Sequence, residues 1–144
     1  MQFIKFNKVW EDDDSMLQLE FSVSNSQLMT TQDFYIYPDR FLSFATQTAG
    51  FFPKLGKGEV ILEYGSEANP IYAYILFKVG YKNLGELSIE IKTNNNHLNK
   101  DKSENLKPAI SHFFCAISNQ QLNEFGEQLM KWAVDMEGEF IYQW

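Results

Sequence analysis

The chain has 144 residues, a common size for one domain and enough to bury roughly two-thirds of its unfolded surface. It carries 12 Lys and Arg against 19 Asp and Glu, a formal charge of −7, with Arg40 as its one arginine. Nucleic-acid binders displace counterions with a basic footprint, so this balance excludes a phosphate backbone, and an anionic membrane surface, as natural partners. A basic protein is the complementary expectation, although acidity of this size also suits plain solubility.

Thirteen Phe, seven Tyr and three Trp, against four Pro and eight Gly, can offset the cost of chain ordering without disulfides or metals. Cys115 is the one cysteine, so no intrachain disulfide forms. The opening stretch Met1 to Trp10 interleaves Lys5 and Lys8 with apolar residues, which is not the pattern of a secretory leader. No stretch approaches the ~18 consecutive apolar residues of a membrane span. The cytoplasm is the expected compartment.

Phe3 to Val9 reads as a short strand, and Glu11 to Ser15 as the turn after it. Leu17, Leu19, Phe21 and Val23 alternate with Gln18, Glu20 and Ser22, the period of a half-buried strand. Asp33 to Tyr37 is a further strand, with Phe34 and Ile36 opposed to Tyr35 and Tyr37. The period then changes. Pro38 and Asp39 suit a helix start and Gly50 suits its end, which predicts a helix over about 38–49.

Glu59 to Tyr64 alternates again, with Val60 and Leu62 on one side. Ile71 to Tyr81 is apolar on both faces and reads as a central strand. Across a turn at Lys82 to Gly85, Glu86 to Thr93 completes a hairpin, with Leu87, Ile89 and Ile91 inward. The Asn-rich segment 94–108 reads as a mobile polar loop. Ala109 to Ile117 is a strand.

Ser118 with Gln121 three residues on is a capping box, and Leu122, Phe125, Leu129, Trp132, Ala133 and Met136 follow at helical spacing. This predicts a long amphipathic helix over about 119–137, its stripe being core, with Phe140 to Trp144 as a last strand or packed tail. The expectation is a single α+β domain, 1–144. It has a largely antiparallel curved sheet of about six to eight strands, with one short and one long helix packed on it.

The residues offer little chemistry. Cys115 and His112 sit three apart on one strand and face opposite sides, so a buried, inert thiol is expected. His97 has no paired ligand, and the acidic run Glu11 to Asp14 lacks the glycine and closing glutamate of a calcium loop. Gly56, Gly58, Gly80 and Gly85 do not lie between a strand and a helix, as a phosphate loop requires. No catalytic residue, cofactor or metal is expected. What remains is tyrosine beside outward acids, a pairing suited to a protein interface. The candidate contact residues are Asp12, Asp13, Asp14, Tyr35, Tyr37, Glu59, Glu63, Tyr72, Tyr74, Glu86 and Glu90.

One resemblance narrows the function. The strand Leu17–Phe21, the helix after Phe34–Tyr37, the hairpin Phe77–Ile89 and the strand running into a helix over Ile117–Trp132 share an order of elements. Over about residues 16–134 this order resembles the WapI-type immunity proteins of bacterial polymorphic toxin systems and their relatives. The tryptophan-glycine pairing expected near the central hairpin is absent, with Tyr81 and Gly85 in its neighbourhood instead. The resemblance implies a cytoplasmic antitoxin that neutralises a cognate toxin domain, such as a basic nuclease, by stoichiometric complex formation. The alternative is a structural or regulatory subunit of another bacterial or phage-derived assembly. Oligomeric state stays open.

Overall fold

Alternating apolar side chains place the first third of the chain in three antiparallel strands, β1 (Gln2–Glu11), β2 (Leu17–Asn25) and β3 (Met29–Ile36). The molecule is described by a computed structural model over residues 1–51, 58–68, 73–82, 86–95 and 110–144. Leu17, Leu19, Phe21 and Val23 all fall inward and are buried beside Ile4, Phe6, Phe34 and Ile36. The β1–β2 turn is closed by Asp12, whose Oδ1 accepts from the amides of Asp14 at 2.9 Å and Met16 at 2.8 Å.

Helix α1 (Pro38–Ala49) begins on its proline and buries Phe41, Phe44, Ala45 and Thr48. Strands β4 (Glu59–Tyr64), β5 (Tyr74–Lys82), β6 (Glu86–Asn94) and β7 (Ile110–Ala116) follow. Residues 96–108 of the Asn-rich loop, His97 among them, Tyr72, and the turn positions Gly56 and Gly85 lie outside the described residues.

Helix α2 (Asn119–Trp132) carries the expected capping box: Ser118 Oγ accepts from the Gln121 amide and Gln121 Oε1 accepts from the Ser118 amide. Leu122, Phe125 and Leu129 are buried, whereas Trp132 is only partly so. The helix stops at Trp132 instead of continuing to about 137. Met136 adopts φ 53° and Gly138 φ 69°, which no right-handed helix accommodates. Ala133 and Met136 are nevertheless buried, so core spacing outlasts the helix. Strand β8 (Glu139–Gln143) then returns to pair with β1. No described helix is long and apolar enough to cross a membrane.

The expected antiparallel α+β class is present, with the strands divided between two four-stranded sheets, β3-β2-β1-β8 and β4-β5-β6-β7. They meet at Phe77 of β5. Its ring centroid lies 6.3 Å from Phe6 and 6.5 Å from Phe21 of the first sheet, 5.4 Å from Phe44 of α1 and 6.1 Å from Phe125 of α2. A buried hydroxyl pair, Thr30 with Thr93 at 2.8 Å, adds a polar link between the sheets.

The helices touch at Gly126, where an added Cβ would lie 2.5 Å from the Ala49 amide nitrogen and 2.7 Å from the Thr48 carbonyl carbon. Both are backbone atoms and cannot rotate away. Gly126→Ala should therefore lower stability in urea unfolding by about 2 kcal/mol or more, and Phe77→Ala by about 3–5 kcal/mol. A Gly126→Ala loss below about 0.5 kcal/mol would show that the helices part freely, against this packing.

Candidate functional site

Pairing register decides which outward side chains become neighbours. On the outer face of the first sheet, Trp10, Gln18 and Tyr35 form one row across β1, β2 and β3. Asn7, Glu20 and Asp33 form the next, extended by Glu139 of β8. A register shift between Lys8 and Trp10 marks a β-bulge, and both Val9 and Trp10 are left about half exposed, at 52% and 50%. Tyr37, at 47%, lies just past the end of β3.

The acids around this bulge differ in how far they are occupied. Asp12 is committed to the turn backbone, and Asp33 accepts from Gln18 Nε2 at 2.7 Å. Glu11 pairs with Lys8 at 3.7 Å, and Glu139 pairs with Lys5. Asp13, Asp14 and Glu20 make no ion pair with any described residue. Unneutralised charge therefore collects beside exposed Val9 and Trp10.

The outer face of the second sheet is different. Ile61, Lys78, Glu90 and Phe114 form one row across its four strands, and Glu63, Leu76, Lys92 and His112 the next. Glu90 is the hub: Lys78 Nζ lies 2.9 Å from Oε2, and His112 Nε2 and Lys92 Nζ lie 3.0 and 3.9 Å from Oε1. Burial alone would raise its carboxyl pKa, but the hydrogen bonds from Lys78 and His112 and the charges of Lys78 and Lys92 hold it below the ordinary value. Glu90 is thus 14% exposed and served by its own cations, not an outward acid awaiting a partner.

Tyr74 needs the same correction. It is 3% exposed, and its hydroxyl donates to Glu63 Oε2 at 2.7 Å, because β5 is an inner strand. Burial, then that bond and the Glu63 charge, push its phenol well above the ordinary range. Glu59 and Glu86 are exposed at one end of the face, at the starts of β4 and β6, against Gly80 and Lys82 at the end of β5. Tyr72 lies outside the described residues. The eleven candidate residues therefore do not form one patch.

The two groups join at a seam the sequence did not reveal. Edge strands β3 and β4 meet where Tyr64 packs 6.3 Å from Tyr35 and 6.4 Å from Phe34. Arg40 of α1 donates to the Glu63 carbonyl at 3.1 Å across the same corner. Burial, with Tyr35 and Asp33 nearby, raises the Tyr64 phenol. Only the fold brings these residues together, since β3 and β4 are separated by α1.

The Cys115 thiol is pushed up to about 12 by burial, and His112 turns to Glu90 on the opposite face. Among the described residues no group of three or more His, Cys, Asp or Glu could hold a metal ion.

No protein-family model and no curated protein matches the chain. A solved structure of the plant transcriptional regulator PBF-2 is similar in fold, with a TM-score of 0.50 over 92% of this chain and 76% of that one. At 8% sequence identity the likeness concerns the fold alone.

Because the Glu90 carboxyl is depressed when folded, the stability it confers is complete above its ordinary value of 4.5 and disappears as pH falls through the folded value. Glu90→Gln should cost on the order of 1 kcal/mol at neutral pH. Urea midpoints measured across a pH series should show that deficit shrinking as pH falls below 4.5. A deficit constant with pH would mean that the carboxylate charge is not what holds the hub.

Proposed function

We propose that this chain is a non-catalytic protein-binding domain, an immunity-type protein that neutralises a cognate basic toxin domain in the cytoplasm by forming a stoichiometric complex. The observation that carries the reading is the bulge on β1. It leaves Val9 and Trp10 exposed side by side, next to Asp13, Asp14 and Glu20, which no described cation neutralises. A large exposed apolar pair rimmed by charge is the anatomy of an interface: the aromatic supplies contact area and the acids supply orientation and encounter rate.

A net charge of −7 adds long-range attraction for a basic partner. The resemblance in element order to WapI-type immunity proteins supports a toxin domain as the class of that partner. The exposed Tyr37 and the seam at Tyr35 and Tyr64 extend the contact along one rim. Glu59 and Glu63 belong to its far side, with Glu63 partly committed to Tyr74.

The test is co-expression with the C-terminal domain encoded by the neighbouring large gene, followed by affinity measurement on the purified pair. The toxin domain alone should stop growth and this chain should restore it. Trp10→Ala should then weaken the complex by about 2 kcal/mol, as a buried aromatic anchor does. Reversing Asp13 and Asp14 to lysine should slow association about tenfold at low salt. A harmless neighbour, or affinity unchanged by Trp10→Ala, would move the weight to a structural or regulatory role in another assembly.

A further inference from the structure

We propose that a second site, at the opposite end of β1 from Trp10, is built to hold one arginine side chain of a protein partner. A cleft of about 650 Å³ opens there, between the first sheet and the outer face of β6 and β7. Its volume falls within the roughly 300–1,000 Å³ of small-molecule sites.

One wall is Trp144, and it is held rigidly. Its indole Nε1 donates to the Ala116 carbonyl at 2.8 Å, and its amide donates to the Gln2 carbonyl at 3.2 Å. The ring stacks on Tyr142, with centroids 5.6 Å apart. Gln2 Nε2 reaches the same Ala116 carbonyl at 3.4 Å, so the β1–β8 end of the first sheet is fastened to β7. Phe114 of β7 contributes a second ring. An indole fixed by three contacts forms a contact surface with little entropy left to lose on binding.

The charge of the cleft selects the ligand. Glu86 also lines it and is exposed, and it is the one charged side chain among the described lining residues, none of which is a lysine, arginine or histidine; the strand register sets Lys82 of β5 opposite Glu86. Around it stand the neutral hydrogen-bonding groups of Gln2, Ser88 and Gln121. Aromatic faces attract cations, and a carboxylate adds a charge-assisted bond.

The amino end of α2 opens on the same cleft and opposes a cation with about half a positive charge. The capping box already uses the Ser118 and Gln121 amides, and the full charge of Glu86 outweighs what remains. A guanidinium fits better than an ammonium because it is planar, stacks on indole and donates in several directions. The negative field of the whole chain favours a basic segment as the source. The cleft stands on its own chemistry and does not require the bulge surface to be correct.

The probe is N-acetyl-arginine amide, titrated while the Trp144 indole N–H is followed by NMR, with N-acetyl-citrulline amide as the neutral isostere. The indole signal is assigned with Trp144→Phe. The Trp144 signal should shift saturably with arginine, and citrulline should bind at least fivefold more weakly. Glu86→Gln, an exposed change that leaves the fold intact by circular dichroism, should weaken arginine about threefold, within the range of an exposed ion pair. The same arginine inside a short neutral peptide should bind at least as well.

Equal shifts with citrulline, or arginine binding indifferent to Glu86→Gln, would overturn the site. A peptide excluded while the blocked amino acid enters would overturn the assignment to a partner's side chain. Failure of the toxin rescue with arginine binding intact would remove the immunity reading and leave the cleft.

Discussion

The Phe77 ring is the point on which the architecture turns. It packs against Phe6 and Phe21 on one sheet and against Phe44 and Phe125 on the two helices, so four separate elements share one residue of an inner strand. Because the sheets and helices converge there, the inward side of each strand is spent on the core. Function is left to the outward sides, and strand alternation fixes which residues those are. Gly126 belongs to the same constraint: α2 can present Phe125 to Phe77 only by bringing its backbone against Thr48 and Ala49 of α1.

Two open sheets bring exposed edges, and the chain closes several with side chains. Carbonyls of β7 are met from the first sheet, Phe114 by Asn25 Nδ2 at 3.1 Å and Ala116 by Trp144 and Gln2. On β4, Arg40 covers the Glu63 carbonyl, and on β3 Gln32 Nε2 covers that of Asp33 at 3.1 Å. Each bond occupies an acceptor that an incoming strand would need. These edges therefore resist strand addition.

The parts legible in the sequence are those set by short spacing. Alternation at Leu17 to Val23 gave β2, Pro38 and Gly50 bounded α1, and Ser118 with Gln121 placed the start of α2. The end of α2 falls short of the expected 137 because Ala133 and Met136 keep core spacing while the backbone at Met136 has already left the helix. The division into two sheets was not legible, since the β1–β8 pairing joins Phe3 to Gln143 across nearly the whole chain. The same blindness affects the candidate site. Tyr74 looks like any strand tyrosine until an inner position buries it, and Glu90 looks outward until His112 of β7 reaches it. Trp10 carried the opposite problem: nothing local marks a bulge, so its exposure was invisible.

The two outer faces follow opposite electrostatic strategies. On the second sheet Lys78, Lys92 and His112 surround Glu90, and Lys92 also reaches Glu67 at 3.2 Å, so much of the charge is answered within the face. A partner docking there would have to break those bonds before making its own, with desolvation added. On the first sheet the lysines reach Glu11 and Glu139, leaving Asp13, Asp14 and Glu20 beside an exposed tryptophan. Among the described residues no cation pairs with those three acids, so a basic partner would keep most of its Coulombic gain there. That asymmetry favours the bulge face of the first sheet over the acid-and-tyrosine face of the second as a surface for a basic partner.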